Sequence, residues 1–218
     1  MATFEDAIGA FRSGATGQAE ELALELLAQA RDESDLMGQV DALCMLARVA
    51  LRRGELAHAG ELAAEARGLA RRAGERRLER MPIHMQAAAT RMRGAYMEAR
   101  ILYQESIELN VQLGEERMVA AEHRNLAYVE LHDGQFDRAR ELFFMAAKEA
   151  TSLGYKALEP YLLLDAAVIA FEAGETKRAE QLAAAMHAAL AESGLVPDPD
   201  DAAEEELLEA QLYWTGPT

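Results

Sequence analysis

Five glycines, Gly14, Gly54, Gly94, Gly134 and Gly174, stand 40 residues apart without a slip. Average glycine usage is about 7%, so five hits in one register are not accidental. The register extends beyond glycine. Ala7, Ala47, Ala87, Ala127 and Ala167 lie seven residues before each glycine. Ala19, Ala59, Ala99, Ala139 and Ala179 lie five after, and Leu22, Leu62, Leu102, Leu142 and Leu182 lie eight after. A fixed period of this size means one supersecondary unit stacked five times, which points to binding rather than to any particular partner.

The rest of the composition agrees. The chain has 218 residues, half of them hydrophobic, so there is material for a continuous core. Alanine, leucine, glutamate and arginine dominate, a helix-forming mixture, and there are only five prolines. The single Cys44 cannot form an internal disulfide, which fits a reducing compartment. Met1 to Asp6 lacks the basic-then-apolar run of a signal peptide. The longest apolar stretch, Tyr161 to Phe171, is interrupted by Asp165 and is too short to span a bilayer. These features predict a soluble, cytoplasmic protein.

The net charge of -16 argues against nucleic acid as a partner, because the phosphate backbone is itself anionic. The charge is unevenly placed. Residues 48–100 hold 12 of the 22 basic residues and 6 acidic ones. The flanks are acidic, so this is an acidic protein with a basic middle.

One repeat can be read as physics. In the fourth, a first helix is expected from Arg117 to Asp133 and is closed by Gly134. A second runs from Asp137 to Leu153 and is closed by Gly154. Glycine suits the left-handed residue that ends a helix. Gly74, Gly114 and Gly194 do the same in other repeats, and the first repeat departs with Ser34-Asp35. Ala127 and Ala139 belong where the two helices cross closely, since larger side chains would widen the usual 8–10 Å separation. Leu142 and Phe143 fill the space beside them. A lone helix pair exposes its apolar faces, so each pair needs neighbours and the ends need caps.

These residues resemble the tetratricopeptide repeat. Leu126-Ala127 and Leu46-Ala47 stand for its Leu-Gly pair, Ala139-x3-Phe143 matches its Ala-x3-Phe outright, and Ala99-x3-Tyr103 nearly does. The terminal proline is absent, and the period is 40 rather than 34. That departure is similar to the long-helix subset found in LuxR-type regulators, Leu-Gly-Asn repeat scaffolds and Rap-type peptide receptors. The run Leu113-Gly114-Glu115 followed by Arg124-Asn125-Leu126-Ala127-Tyr128 carries that likeness. The resemblance implies an all-α, right-handed α-solenoid. Its five repeats are expected at about 1–34, 35–74, 75–114, 115–154 and 155–194. Residues 195–218 are expected to be an acidic linker, a C-terminal capping helix and a short tail. Pro197-Asp198-Pro199-Asp200-Asp201 reads as a turn and helix start. Glu204 to Trp214 then carries Leu207, Leu208, Leu212 and Trp214 in the register of a sixth first helix, and Thr215 to Thr218 reads as a mobile tail.

The resemblance also implies that the first helices line a concave surface. Relative to each glycine, positions -13, -10, -6, -3 and -2 keep to one helix face. The lining is then apolar at the first repeat (Phe4, Ile8, Phe11) and at the fifth (Tyr161, Leu164, Val168, Phe171). Its centre is rich in arginine and histidine: Arg48, Arg52, His84, Arg91, Arg124 and His132. Arginine forks pair with carboxylates in bidentate fashion. Such a groove suits a peptide or protein segment with acidic residues and apolar anchors. In that reading Arg48, Arg91 and Arg124 pair with acidic groups, Tyr128 is an anchor, and Asn125 holds a backbone amide. The alternative is that these arginines pair with acidic residues of neighbouring helices. The lysine/asparagine clamp for chaperone carboxylates is not met.

Phe4, Ile8 and Phe11 form either a ligand or homodimer patch or a face buried against the second repeat. The ten methionines read as core filler more readily than as an adaptable surface. Arg67, Arg71, Arg72, Arg76, Arg77 and Arg80 lie on the convex side or edge. They form either a solvated face or a docking surface, for instance for the Asp198–Glu209 segment of another copy. Catalysis and metal binding have little support. There is no phosphate-binding loop, no His-Glu-x2-His and no cysteine pair. His84 and His132 make a poor zinc site, and Cys44 with His84 makes a weak nucleophile pair. No cofactor is expected. The reading that results is a non-catalytic protein- or peptide-binding scaffold. A regulatory sensor whose peptide ligand controls a partner, such as a transcription regulator, stands second, and an enzyme is a distant third.

Overall fold

The computed structural model describes residues 3–194 and 196–213, which are helical throughout, with no strand among them. Each repeat is an antiparallel helix pair. These are α1 (Phe4–Arg12) with α2 (Thr16–Asp32), α3 (Leu36–Arg52) with α4 (Leu56–Ala73), and α5 (Arg80–Met92) with α6 (Tyr96–Gln112). They continue with α7 (Glu116–His132) and α8 (Phe136–Ser152), then α9 (Glu159–Glu172) and α10 (Thr176–Ser193). A final helix, α11, spans Pro199–Leu212. Each helix packs on the next, and α1, α3, α5 and α7 also touch in succession, so the first helices share one face of the array. This is the all-α repeat solenoid that the 40-residue period predicts.

The glycines close helices as expected, through a specific hydrogen-bond pattern. Gly134 has φ +76°. Its N–H donates to the Leu131 carbonyl at 3.0 Å, and the Gln135 N–H donates to the Glu130 carbonyl at 2.8 Å. This is the Schellman arrangement, which satisfies carbonyls left over at the helix end. The break at Ser34 is one of composition only. Ser34 adopts φ +56°, its N–H donates to the Arg31 carbonyl, and Asp35 N–H donates to the Ala30 carbonyl. The conformation costs a residue with a side chain about 1–2 kcal/mol. Asp35 then caps α3 by accepting from the Met37 N–H at 3.0 Å. Helices α5 and α9 start later than their counterparts, after single 3-10 turns at Arg76–Glu79 and Lys156–Leu158. Pro82 and Pro160 sit in their first turns, where a missing N–H is harmless.

The repeated alanines lie at the helix crossings. Ala7, Ala47, Ala87, Ala127 and Ala167 are fully buried, and so are Ala19, Ala59, Ala99, Ala139 and Ala179. The core runs in packed clusters along the array. Phe11 belongs to the first of them at 1% exposure, with Phe4 and Ile8 half-buried against it. The α1 face is thus largely packed against the neighbouring helices, with Phe4 and Ile8 partly open to solvent. Arg52 lies over Phe11, its guanidinium carbon 3.5 Å from the ring centroid.

Helix α11 contacts α9 and α10, and Leu208 joins the core of the last repeats, as a cap should. It also contacts α3, which a sixth helix stacked beyond α10 could not reach. The chain turns back after the fifth repeat instead of continuing the array. Trp214 and the tail from Thr215 lie outside the described residues. No helix among the described residues is long and apolar enough to cross a membrane.

Candidate functional site

The turn-back puts an acidic segment across the basic concave face. The Val196 N–H donates to the Arg12 carbonyl at 3.0 Å. Gly194 closes α10, and two residues of chain reach at most about 7 Å. The end of the fifth repeat therefore lies close to the end of the first helix. Arg52 bridges this junction, donating to the Phe11 carbonyl and, at 2.9 Å, to the Pro197 carbonyl. From there α11 runs through the groove with Asp200 and Asp201 in its first turn, where negative charge suits the helix dipole.

The groove cations meet the carboxylates of this strap. Arg48 Nη2 lies 3.3 Å from Asp198. Arg91 donates to Asp200 at 3.1 Å and also to Glu204. His132 Nε2 meets the other Glu204 oxygen at 2.8 Å. Arg124 binds Asp201 through one nitrogen and both Asp165 oxygens, each at 2.9 Å, through Nε. Arg91 and Arg124 are 3% and 2% exposed, and Asp165, Asp200 and Glu204 are equally enclosed. Buried charge is tolerated only where it is paired and hydrogen-bonded. Among the described residues, both carboxylates that pair with Arg91 belong to α11, whereas Arg124 has one from α9 and one from the strap.

Beneath these pairs the wall is braced. The Tyr128 hydroxyl donates to Asp165 at 2.8 Å. The Arg91 and Arg124 guanidinium carbons stand 5.4 and 5.1 Å from its ring centroid, at cation–π range. His84 Nδ1 lies 3.1 Å from both oxygens of Glu122, which also accepts from Ser106 Oγ at 2.7 Å and from Asn125 Nδ2. Burial disfavours the charged His84 ring, but the Glu122 charge and hydrogen bond outweigh it and lift His84 to about 9. Burial raises Asp165 to about 6 against the pull of Arg124. Asp201 is raised to about 7 by burial and by the adjacent Asp200 charge, again against Arg124. Asp200 lies below the usual range because Arg91 more than offsets its burial. Beside the strap a cavity of about 480 Å³ remains, walled by Met81, Met118, Tyr155, Tyr161 and Val196.

Of the predicted site residues, the fold brings Arg48, Arg52, Arg91, Arg124 and His132 together against the strap. His84 and Asn125 line the cavity but bond Glu122 of the wall. Tyr128 is fully buried, so it orients Arg124 and Asp165 and offers no anchor surface. Arg124 pairs with Asp165 of the neighbouring repeat, as the alternative reading of the arginines has it, and with Asp201 of the chain's own strap. On the other face, Arg71, Arg76 and Arg77 are exposed and pair with Glu79 and Glu115. The Asp198–Glu209 segment docks within its own chain. Cys44 is buried, and burial pushes its thiol up, away from the reactive thiolate. Asp165, Asp198, Asp200, Asp201 and Glu204 escaped the sequence reading as site residues. Asp165 occupies the repeat position of Asn125, a signal that was available. His187 of α10 meets Glu205 and Glu209 at 2.8 and 3.3 Å, a surface cluster that holds α11 to α10.

No protein-family model and no curated protein matches the chain. Solved structures do. A Rap protein complexed with competence and sporulation factor superposes with a TM-score of 0.74 at 14% identity, over 93% of this chain and 55% of its own. The apo form of RapI gives 0.67 at 14% identity, over 98% and 77%. A Signal Transduction ATPase with Numerous Domains from Pyrococcus horikoshii, which carries a tetratricopeptide repeat sensor, gives 0.65 at 14%, over 88% and 29%. The chain thus spans about half of the first of these and under a third of the last. At these identities the likeness is one of fold, and the chain is a tetratricopeptide-like array of five 40-residue repeats.

Proposed function

We propose that the concave face is a docking groove for an acidic, helical segment of a partner protein, and that the chain acts as a non-catalytic binding scaffold. The observation that carries this reading is Arg91. It is a nearly inaccessible cation whose ion-pair carboxylates, among the described residues, both come from outside the repeats. A groove built on such a residue needs an anionic occupant. Arg48 and His132 extend the same demand along the face, and Leu208 marks where an apolar anchor is taken up. The complex of a Rap protein with competence and sporulation factor supports binding by an array of this fold.

Photo-crosslinking tests the reading. The probe is a labelled peptide with the sequence of residues 196–212, carrying a photoreactive group at the position of Leu208. Crosslinks to a full-length variant whose own strap is loosened (Asp200→Asn/Asp201→Asn/Glu204→Gln) are expected on α7, α9 and α10 and should fade as salt rises, because the groove cations stand in solvent until the peptide encloses them and charges in solvent are screened. Crosslinks confined to the convex face overturn the proposal.

A further inference from the structure

We infer that α11 is a resident self-ligand: it fills the groove of the free chain, and the partner, a helix opening with the same Asp-Asp-x-x-Glu-x-x-x-Leu arrangement, binds by displacing it. This inference rests on the groove being a docking site for acidic segments and adds who occupies it first and what the partner looks like.

Four observations support it. The strap satisfies the groove's own demand, since Asp198, Asp200, Asp201 and Glu204 meet Arg48, Arg91, Arg124 and His132 one after another. It is attached differently from the repeats, where alanine and leucine interlock along whole helices. The buried positions of α11 are Pro199, Asp200, Glu204 and Leu208, and Leu212 packs partly buried on the same core as Leu208, so ion pairs hold its first turns and two leucines hold its far end. The fit is incomplete, because the cavity of about 480 Å³ stays open beside its first turn, and neighbouring carboxylates crowd Asp200 and Asp201 together. Finally, the strap is tethered within two residues of the last repeat. A tethered segment acts at an effective concentration on the order of millimolar, so a weak self-contact still excludes a free competitor of similar strength.

The pattern is specific in spacing. Asp200 and Glu204 lie four residues apart on one helix face and grip Arg91 between them, while Asp201 turns to Arg124. Leu208 is one further turn along the Asp200–Glu204 face and enters the core of the last repeats. A partner with these side chains at these intervals reproduces the strap's contacts with Arg91, Arg124, His132 and the core at Leu208.

The test compares full-length chains by fluorescence anisotropy with the labelled 196–212 peptide as probe. One variant loosens the ionic end (Asp200→Asn/Asp201→Asn/Glu204→Gln), and a second loosens the apolar end (Leu208→Asp). Circular dichroism melting checks that the repeats stay folded in each. Binding at least tenfold tighter to either folded variant than to wild type is expected. Faster hydrogen exchange in α11 than in α3, α5 and α7 of the wild type is expected alongside it. Equal affinity for wild type and both variants overturns self-occlusion and leaves the groove reading standing. Absence of binding to all three chains overturns the groove reading and the inference with it.

Discussion

Two arginine clusters on this molecule share a residue type and little else. On the convex side Arg67, Arg71, Arg76 and Arg77 pair with glutamates 3 to 38 residues away. Three of them are more than half exposed. On the concave side Arg48, Arg91, Arg124 and His132 reach carboxylates of the strap 72 to 150 residues away. Arg91 and Arg124 are cut off from water there. Exposed pairs gain little over hydration and are screened by salt, whereas enclosed cations depend on their partners. The contrast teaches that charge count does not locate the site. What locates it is a cation that local sequence leaves without a partner.

Three measurements sharpen or break that contrast. The largest effect is expected from Arg124→Met, which leaves Asp165 enclosed with no cation. Chemical denaturation should show a loss of about 3 kcal/mol, and adding Asp165→Asn should restore part of it. A loss under about 1 kcal/mol would place Arg124 with the convex cluster. The second concerns His84, raised from its ordinary value to about 9 by Glu122, with Asp200 adding to the rise and Arg48 opposing it. The stabilisation from a raised histidine is complete below about pH 6.5 and disappears as pH climbs through about 9. Unfolding free energy should fall by up to about 3 kcal/mol across that window, and His84→Gln should flatten the slope. An unchanged slope removes the pair from the wall's energetics. The smallest effect is expected from Arg71→Ala/Arg77→Ala, both at exposed ion pairs. The midpoint of thermal unfolding should correspond to a change below about 1 kcal/mol. A larger loss would show that exposure does not separate the clusters.

Most of the scaffold was legible because it is periodic. Gly134 and its equivalents announce helix ends, and Ala127 and Ala139 announce crossings, each through a local steric requirement. The lining was legible in part. Position -6 holds Arg48, which lines the cavity beside the strap, but also Tyr128, which is buried beneath it. A helix face alone cannot tell a lining residue from one covered by the neighbouring helix. Phe11 was ambiguous for the same reason, and its burial under Arg52 depends on how closely α1 lies against α3. Glu204 was read as part of a cap, since nothing within residues 195–213 indicates which face of the array that segment meets.

By itself the sequence determined the repeat, the helix pairing, the turns and the charge of the concave stripe, because each depends on residues within one or two helices. Only the tertiary structure decided that the acidic C-terminal helix lies in that stripe. That outcome depends on the winding of the whole array, in which a small rotation at every helix contact accumulates until the fifth repeat ends beside the first. No local pattern encodes such a sum, yet it is what turns Arg91 from one arginine among many into the centre of the candidate site.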